Sequence, residues 1–542
     1  MTNLVDHLKA PPRADQGAID DLEFMISDWG RALAATGRHI RNQKSEIRNP
    51  SSRGLTLIEM LVALAVTLVM MAAVVNLFAN MTGSIRNRRA AIEAGAQLRQ
   101  VRQRLALDLQ GATSQGLTWQ DPAENQGYIE IVEGRWNDKN PSYLLDTLDD
   151  MDDPGADDIA DGRNRELDPT TSLIPSSQKV DSSLGQVTDG RALGDWDDVL
   201  ALTVRSESDP FVGKALNPAT GQVVTVESPL AEVIWFANER RTKDVEPTPD
   251  AYDGMRTVYR RVLLIAPWLG PWPMGSKPLN ISVHLDQSTT PNQWAANTLS
   301  DLTKRENRAC HDLAEPFLYP LNRDQLLPAG VGVEAVALSN TLAFDVRVFD
   351  PGAPLYQGPG GVILEPVDLG WQAAAATTGA IPVGFGAYCD LGWAKVPGPV
   401  NNPNEPSANL LYPPGTDVSN PYEFPTSFPA STPRPLFHVP HQVGWHPRNP
   451  TMFTDEYRYF PTYCTWSYHY ENDGIDQDDD LIVDQGTNGL DDDGANGVDD
   501  KGERETSPPY DTPLLGVKVL FRVYERDARQ IREASVTHSF KP

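Results

Sequence analysis

The sequence predicts an α+β protein: a long N-terminal membrane helix packed on an antiparallel β-sheet body with long loop insertions. Three features lead there. Residues 55–79 form one apolar run whose only charge is Glu59. An arginine-rich segment with helical apolar spacing continues it to residue 112. Short β-branched and aromatic runs then follow at irregular intervals, in a chain with 45 prolines and 41 glycines. The first run is long enough for a bilayer, the second keeps a helical period, and the strand-like runs lack helical crossovers, which favours antiparallel pairing.

The apolar run, LTLIEMLVALAVTLVMMAAVVNLFA, would span roughly 37 Å as a helix. Arg38, Arg41, Lys44, Arg48 and Arg53 precede it. Such a basic flank keeps the leading segment cytoplasmic and sends the C-terminal body across the membrane. A secretory signal peptide carries its small-residue cleavage site after the apolar stretch. Here the small residue, Gly54, stands before it, so cleavage there keeps the whole helix and makes Leu55 the new N-terminus. A carboxylate about one turn into a membrane helix costs roughly 2.5–3.5 kcal/mol on insertion scales. Glu59 therefore calls for a compensating cation. The α-amino group of Leu55, in the same or a neighbouring subunit, would serve, and the pair would set the axial register of packed helices. A plain anchor with an interfacial glutamate is the simpler alternative.

The run Arg53, Gly54, Leu55, Thr56, Leu57, Ile58, Glu59 and on to Leu64 resembles the class III signal of type IV prepilins and type II secretion pseudopilins. The resemblance implies cleavage after Gly54 by a prepilin peptidase, methylation of the Leu55 amino group, and assembly through Glu59 with other pseudopilins or pilins. It implies a single-pass inner-membrane protein whose body lies in the periplasm, as part of a periplasmic or extracellular filament. Two departures stand out. Leu55 occupies a position where Phe is commoner, and a leader of 54 residues is long for the family. A start at Met25 would leave 30 residues, with Arg31, Arg38, Arg41, Lys44, Arg48 and Arg53 against Asp28 and Glu46.

Beyond the membrane, Ile85, Ile92, Leu98, Val101, Leu105 and Leu109 draw an apolar stripe that predicts the face packed on the sheet. Arg86, Arg88, Arg89, Arg99, Arg102 and Arg104 lie between them, as a solvated face or as a contact for acidic headgroups or an acidic neighbour. Gly111 and the polar residues after it end the helix. Strands are expected within 119–132 and at 198–204, 223–226, 231–236, 257–266, 341–349 and 516–524. Residues 344–354 and 519–540 resemble each other. The second is similar to the closing strands of J-class minor pseudopilins and W-class minor pilins. The Asp-rich segment 141–195 and the Pro- and Asn-rich segment 395–435 read as solvated insertions. The expected organisation is a leader removed on processing (1–54), a long helix (55–112, with 55–79 transmembrane), a β-rich body (113–470), an acidic loop (471–506) and closing strands (507–542).

Residues 471–503 hold 13 acids and one base, Lys501. The unit Asp/Asn-Gly-Ile/Leu/Val-Asp occurs three times, at 473–476, 488–491 and 496–499. Ca²⁺ takes about six to eight oxygen ligands from carboxylates, Asn carbonyls and backbone. Asp473, Asp476, Asp478, Asp480, Asp491, Asp493, Asn496 and Asp499 are the candidate ligands of a structural Ca²⁺. Glycine would give each tight turn, and the Ile, Leu or Val would pin it to the body. The pattern resembles the Asp-rich calcium loops of thrombospondin type 3 and dockerin repeats. It is not an EF-hand: the nearest register, Asp492 to Glu503, puts Gly494 at the third position, where Asp or Asn belongs. An acidic loop that aids solubility is the plainer reading.

The net charge of -28 divides unevenly: residues 1–112 carry +4 and the rest -32. An acidic body lacks the basic footprint that nucleic-acid binding needs. Cys310, Cys389 and Cys464 form no CxxC pair; they read as buried thiols, with a Cys389–Cys464 or Cys310–Cys389 bridge open to an exported protein. His438, His441 and His446 lack helical ligand spacing, so zinc is the weaker reading beside incidental loop histidines. Trp268 and Trp272 either cap the sheet or form a contact patch. No GxSxG, HExxH, Walker A or GxGxxG occurs in a suitable context, and no catalytic residue is nominated. The sequence thus favours a non-enzymatic assembly subunit. A calcium-stabilised, membrane-anchored binding or adhesion protein with a prepilin-type signal is the alternative. Secretion, pilus and DNA-uptake systems are not distinguished.

Overall fold

The computed structural model describes residues 56–133, 180–181, 186–187, 195–196, 198–217, 220–239, 256–276, 278, 280–309, 311, 336–368, 370–375, 380–393, 433–438, 461–477, 481–525 and 530–540. Gly54 and Leu55, Asp478 and Asp480, Cys310, His441 and His446 lie outside the described residues, as do the leader and most of the insertions expected at 141–195 and 395–435. The chain divides into two compact units, Met1–Ala79 and Asn80–Pro542. The α+β reading holds: one long helix, α1 (Leu57–Gln110), precedes a large antiparallel sheet.

In the first unit, Leu57–Phe78 is a predominantly apolar stretch of 22 residues, exposed throughout and long enough to cross a bilayer core. Thr67 is among its few polar side chains. Its hydroxyl donates to the carbonyls of Ala63 and Leu64, both at 2.8 Å, so the polar group carries its own partners.

The second unit is built on a ten-stranded sheet. Its strands are β1 (Ile129–Val132), β2 (Val199–Arg205), β3 (Leu230–Glu239), β4 (Arg256–Leu264), β5 (Val336–Gln357), β6 (Ile363–Leu364), β7 (Gly384–Cys389), β8 (Thr462–Cys464), β9 (Gly516–Glu525) and β10 (Gln530–Ser539). The order is β8-β1-β2-β3-β4-β5-β9-β10, with β6 and β7 also paired to β5, and every pairing is antiparallel. A hairpin of Phe211–Leu216 with Val223–Ser228 and a three-stranded sheet of Trp272–Pro273, Gln293–Ala296 and Val283–Asp286 stand apart from it.

The C-terminal part of α1 packs on this sheet. Leu98, Val101, Leu105 and Leu109 are buried with Trp235, Val258, Phe344 and Phe521 in the main core. The arginines between them are exposed, as a solvated face requires. Among the described residues burial begins at Ala94, and Ile92 of the expected stripe is 68% exposed, whereas the side chain of Ile85 lies outside the described residues. One polar residue on this face is buried. Asp108 accepts from Arg260 Nε and Nη2, each at 2.7 Å, and from Trp235 Nε1 at 2.9 Å. The helix stops at Gly111, as expected. There the backbone meets β2, and a Cβ would stand 2.4 Å from the Arg205 carbonyl oxygen.

β1 carries a buried charge, Glu130. It meets Arg305 at 3.4 Å, Arg308 at 3.2 Å and His311 at 3.0 Å, which fastens the segment 301–311 to the sheet. Arg308 also lies 4.3 Å from the centre of the Tyr128 ring. Trp272 is fully buried and donates to the Leu216 carbonyl at 2.7 Å, whereas Trp268 is exposed; the pair therefore divides between core and surface. Cys389 and Cys464 are buried and not bridged to each other.

Burial works to raise the Glu130 carboxyl, but His311, Arg305 and Arg308 hold it down to about 2. A carboxyl depressed in the folded state stabilises the fold above its unfolded value near 4.5, and that contribution fades as pH falls toward 2. The body should therefore lose stability across that window in a circular-dichroism acid titration. Glu130→Gln should flatten the dependence and cost about 3–5 kcal/mol at neutral pH, because two buried arginines lose their counter-charge.

Candidate functional site

Two regions carry the functional residues, the start of α1 and the acidic segment after β8. At the helix start, Thr56 precedes the first helical residue and Glu59 is the third residue of the helix. Thr56 N–H donates to Glu59 Oε2 at 2.9 Å, and the Thr56 hydroxyl donates to the same oxygen at 3.0 Å. In return, Glu59 N–H donates to Thr56 Oγ1 at 3.3 Å. This is a capping box, Thr-x-x-Glu, in which side chains satisfy amides that the first turn leaves without partners. The spacing Thr56–Glu59 signals it in the sequence. Glu59 thus has a local partner in the single chain. Both bonds from Thr56 fall on one oxygen, at the end of the helix where the macrodipole favours negative charge.

The acidic segment folds into two successive lobes with the same hydrogen bonds at an offset of 15 residues. Gly474 N–H donates to Asp484 at 3.0 Å, and Gly489 N–H to Asp499 at 2.8 Å. Ile475 N–H turns back to Asp473, and Leu490 N–H to Asn488. Each lobe then closes on a glutamate from the following segment. Glu505 accepts from the amides of Gln477 and Gln485, and Glu503 from those of Asp492 and Asp500. The backbone repeats as well: φ is 77° at Gly474 and 81° at Gly489, and 53° at both Asp484 and Asp499. The repeating unit is therefore the dozen residues 473–484 and 488–499. The third tetrapeptide, 496–499, is the second half of the second lobe and corresponds to residues 481–484.

The apolar residue of each turn does not pin it to the body. Ile475, Leu490 and Val498 are 58%, 61% and 57% exposed. The glutamates do that work, because turns crowded with backbone amides offer more donors than apolar surface. Glu471 joins the lobes to the body: its carboxylate accepts from the amides of Glu505 and Thr506 at 3.0 and 3.1 Å, and its carbonyl from the Thr487 hydroxyl.

Of the candidate ligands, Asp491 and Asp493 come together, with Glu503 as the third member. Donor oxygens of the three lie within 4.8 Å of one another. Asp499 belongs to the same lobe through Gly489, and Asn496 is exposed there with φ 59°. Asp473 and Asp476 lie in the first lobe, where they accept from Gln477 and from Leu481 N–H. Glu503, Glu505, Glu471 and Asp484 organise the lobes, and the tetrapeptide pattern does not mark them. The 15-residue offset marks Asp484, which it matches to Asp499, but none of the glutamates. The two closing glutamates differ in environment. Burial works to raise Glu503, but the amides of Asp492, Asp500, Asp493 and Asp499 outweigh it and hold the carboxyl low. At Glu505 burial prevails over its amide donors, and the carboxyl is pushed up to about 6.

Residues 49–75 match the family model of the prokaryotic N-terminal methylation motif. With the apolar helix beside it, this is a class III prepilin-like signal, the type that a prepilin peptidase processes. No curated protein and no solved structure matches the chain.

If the lobes close independently, Glu503→Ala should speed hydrogen exchange at Asp492 and Asp500 by about tenfold or more, the equivalent of roughly 1–3 kcal/mol for a lost acceptor. It should leave Gln477 and Gln485 unchanged. Glu505→Ala should show the reverse pattern.

Proposed function

We propose that the chain is a prepilin-like structural subunit, a minor pseudopilin or minor pilin. In this reading it is cleaved after Gly54, N-methylated on Leu55, and assembled with other pilins or pseudopilins into a type II secretion pseudopilus or type IV pilus. The observation that carries the reading is the methylation motif at residues 49–75 at the head of a 22-residue bilayer-length stretch. The body remains in the periplasm, and its role is mechanical, with no chemistry at a catalytic centre. The geometry at Thr56–Glu59 gives the processing a physical sense. Cleavage creates a positive amino group one residue before the cap, four positions in sequence from a carboxylate already turned toward the helix end. In a filament, the carboxylate neutralises the amino group of its own or a neighbouring chain, and removing two charges from the bilayer together favours one axial register.

Mass spectrometry of the protein from its native membrane should find N-methylated Leu55 at the mature terminus. A leader left intact, or cleavage beyond Phe78, would sink the reading. Substitution separates the cap from the charge. Glu59→Leu should leave the protein in the membrane and abolish assembly. Glu59→Gln can still close a capping box, so it should also fail to assemble if the charge sets the register. Assembly of the Gln variant would reduce Glu59 to a cap.

The second lobe favours an additional property. We propose that Asp491, Asp493 and Glu503 take part in holding a structural Ca²⁺, since carboxylate oxygens at this spacing suit a cation that binds oxygen at 2.3–2.6 Å. The same property would support the alternative of a calcium-stabilised, membrane-anchored adhesion protein. In the full-length protein, Ca²⁺ should slow hydrogen exchange across residues 489–503 by about tenfold or more relative to chelator. Equal exchange in both conditions would leave the lobe an ion-free acidic loop.

A further inference from the structure

The body holds a second group of carboxylates, far more buried than the lobes. Glu133 follows β1, and Asp195 and Asp198 precede β2. In the β1–β2 ladder Val132 stands opposite Val199, so the next step of the register brings Glu133 beside Asp198. Exposure is 4% for Glu133 and 1% for each aspartate, and ligand oxygens of the three lie within 4.8 Å of one another. Two contacts fix the carboxylates from outside the pair of strands. Leu391 N–H donates to Glu133 Oε2 at 2.9 Å, and Val346 N–H, on β5, to Asp198 Oδ2 at 2.6 Å. The other oxygen of Glu133, Oε1, is buried and accepts no hydrogen bond, and Glu133 forms no ion pair among the described residues. Nearby, Arg347 is committed to Asp345 at 2.5 Å and reaches Asp390 at 3.6 Å.

Taking one carboxylate out of water costs several kcal/mol even after relaxation, and three in contact repel one another as well. The Glu133 oxygen with neither donor nor cation contrasts with Glu130, Asp108 and Glu471, which each meet several partners. We infer that Glu133, Asp195 and Asp198 hold a divalent cation, with Ca²⁺ the best match. The donors are all oxygen, which excludes the nitrogen and sulfur preferences of zinc and copper. Their spacing fits oxygens arranged around an ion at 2.3–2.6 Å, and Ca²⁺ tolerates irregular shells completed by backbone carbonyls or water, where Mg²⁺ demands a regular octahedron. The position gives the ion a mechanical task. Glu133 and Asp195 flank the long acidic stretch 134–194 in the chain, so one ion would join its two ends to each other and, through Val346 and Leu391, to β5 and the segment after β7.

The test uses the full-length protein in detergent, stripped with chelator and then equilibrated with Ca²⁺. Asp491→Asn/Asp493→Asn serves as the background, so that an ion at the second acidic lobe does not count. This background protein should still bind one Ca²⁺ per chain, and Ca²⁺ should raise its melting temperature. Adding Glu133→Gln should weaken that binding by about tenfold or more and abolish the Ca²⁺-dependent rise. In chelator, the same variant should melt no lower than the background, because a like-charge contact has been relieved. Asp195→Asn provides the same comparison should Glu133→Gln not fold. A background protein without bound Ca²⁺ overturns the inference, as does binding that neither substitution weakens. Either of these results would indicate carboxyls that share protons, and both leave the filament reading untouched.

Discussion

The fold depends on how one helix, α1, is held against the sheet. Leu98, Val101, Leu105 and Leu109 provide the adhesion, at about 1.5–3 kcal/mol for each large side chain taken from water. Apolar contact alone tolerates sliding and rotation. Asp108 does not, because its two oxygens meet Arg260 through a forked pair of bonds and Trp235 through a third. Guanidinium and carboxylate are planar, so the pair fixes the rotation of the helix as well as its position along β3 and β4. Most of the main core, from Trp235 to Phe521, is arranged around the face that this clamp presents.

Much of this was legible in the sequence, and the exceptions have physical causes. The apolar run 55–79 and the basic flank before it are dictated by the bilayer, which leaves few alternatives. Strands such as 231–236 and 516–524 were legible because buried strands are made of β-branched and aromatic residues. Gly384–Cys389 and Phe211–Leu216 were not, since glycine dilutes the pattern of both, and Gly384–Cys389 pairs with residues 348–355, well before it in the chain. β5 is 22 residues long because it continues through Pro351 and Pro354 past a register shift, where local propensity predicts an end. At the helix start, Glu59 was recognisable as a site from its charge, and the Thr56–Glu59 spacing carries the capping box as well. In the acidic segment, composition suggested an ion and also suggested that Ile475, Leu490 and Val498 anchor the turns. They are exposed, because the anchoring is done by Glu471, Glu503 and Glu505, whose partners are backbone amides and therefore leave no trace in side-chain pattern.

The same chain thus handles buried or crowded carboxylates in several ways. Glu130 and Asp108 face arginines. Glu503 collects amide hydrogens that outweigh the cost of desolvation, whereas at Glu471 burial prevails over its amide and hydroxyl donors and the carboxyl rises. Glu505 is less fully compensated, and its carboxyl rises accordingly. An acidic body carrying -32 beyond residue 112 must distribute its charge through such arrangements, since cations are too few to pair with every acid.

The attachment of the two lobes through main-chain amides also bears on how this surface can change over time. An amide donates whatever side chain its residue carries, so the outward positions of each lobe are released from structural duty. Among the described residues, the constraint falls on the glycines at positive φ (Gly474, Gly489, Gly494 and Gly497), on the Asp and Asn side chains that accept from the turns, and on the two closing glutamates. Outward positions such as Ile475, Leu490 and Val498 can drift in size, charge or greasiness while the backbone stays in place. The lobes are in that sense a display frame: a rigid scaffold on which a lineage can vary the face it shows to its surroundings without having to reinvent the fold beneath.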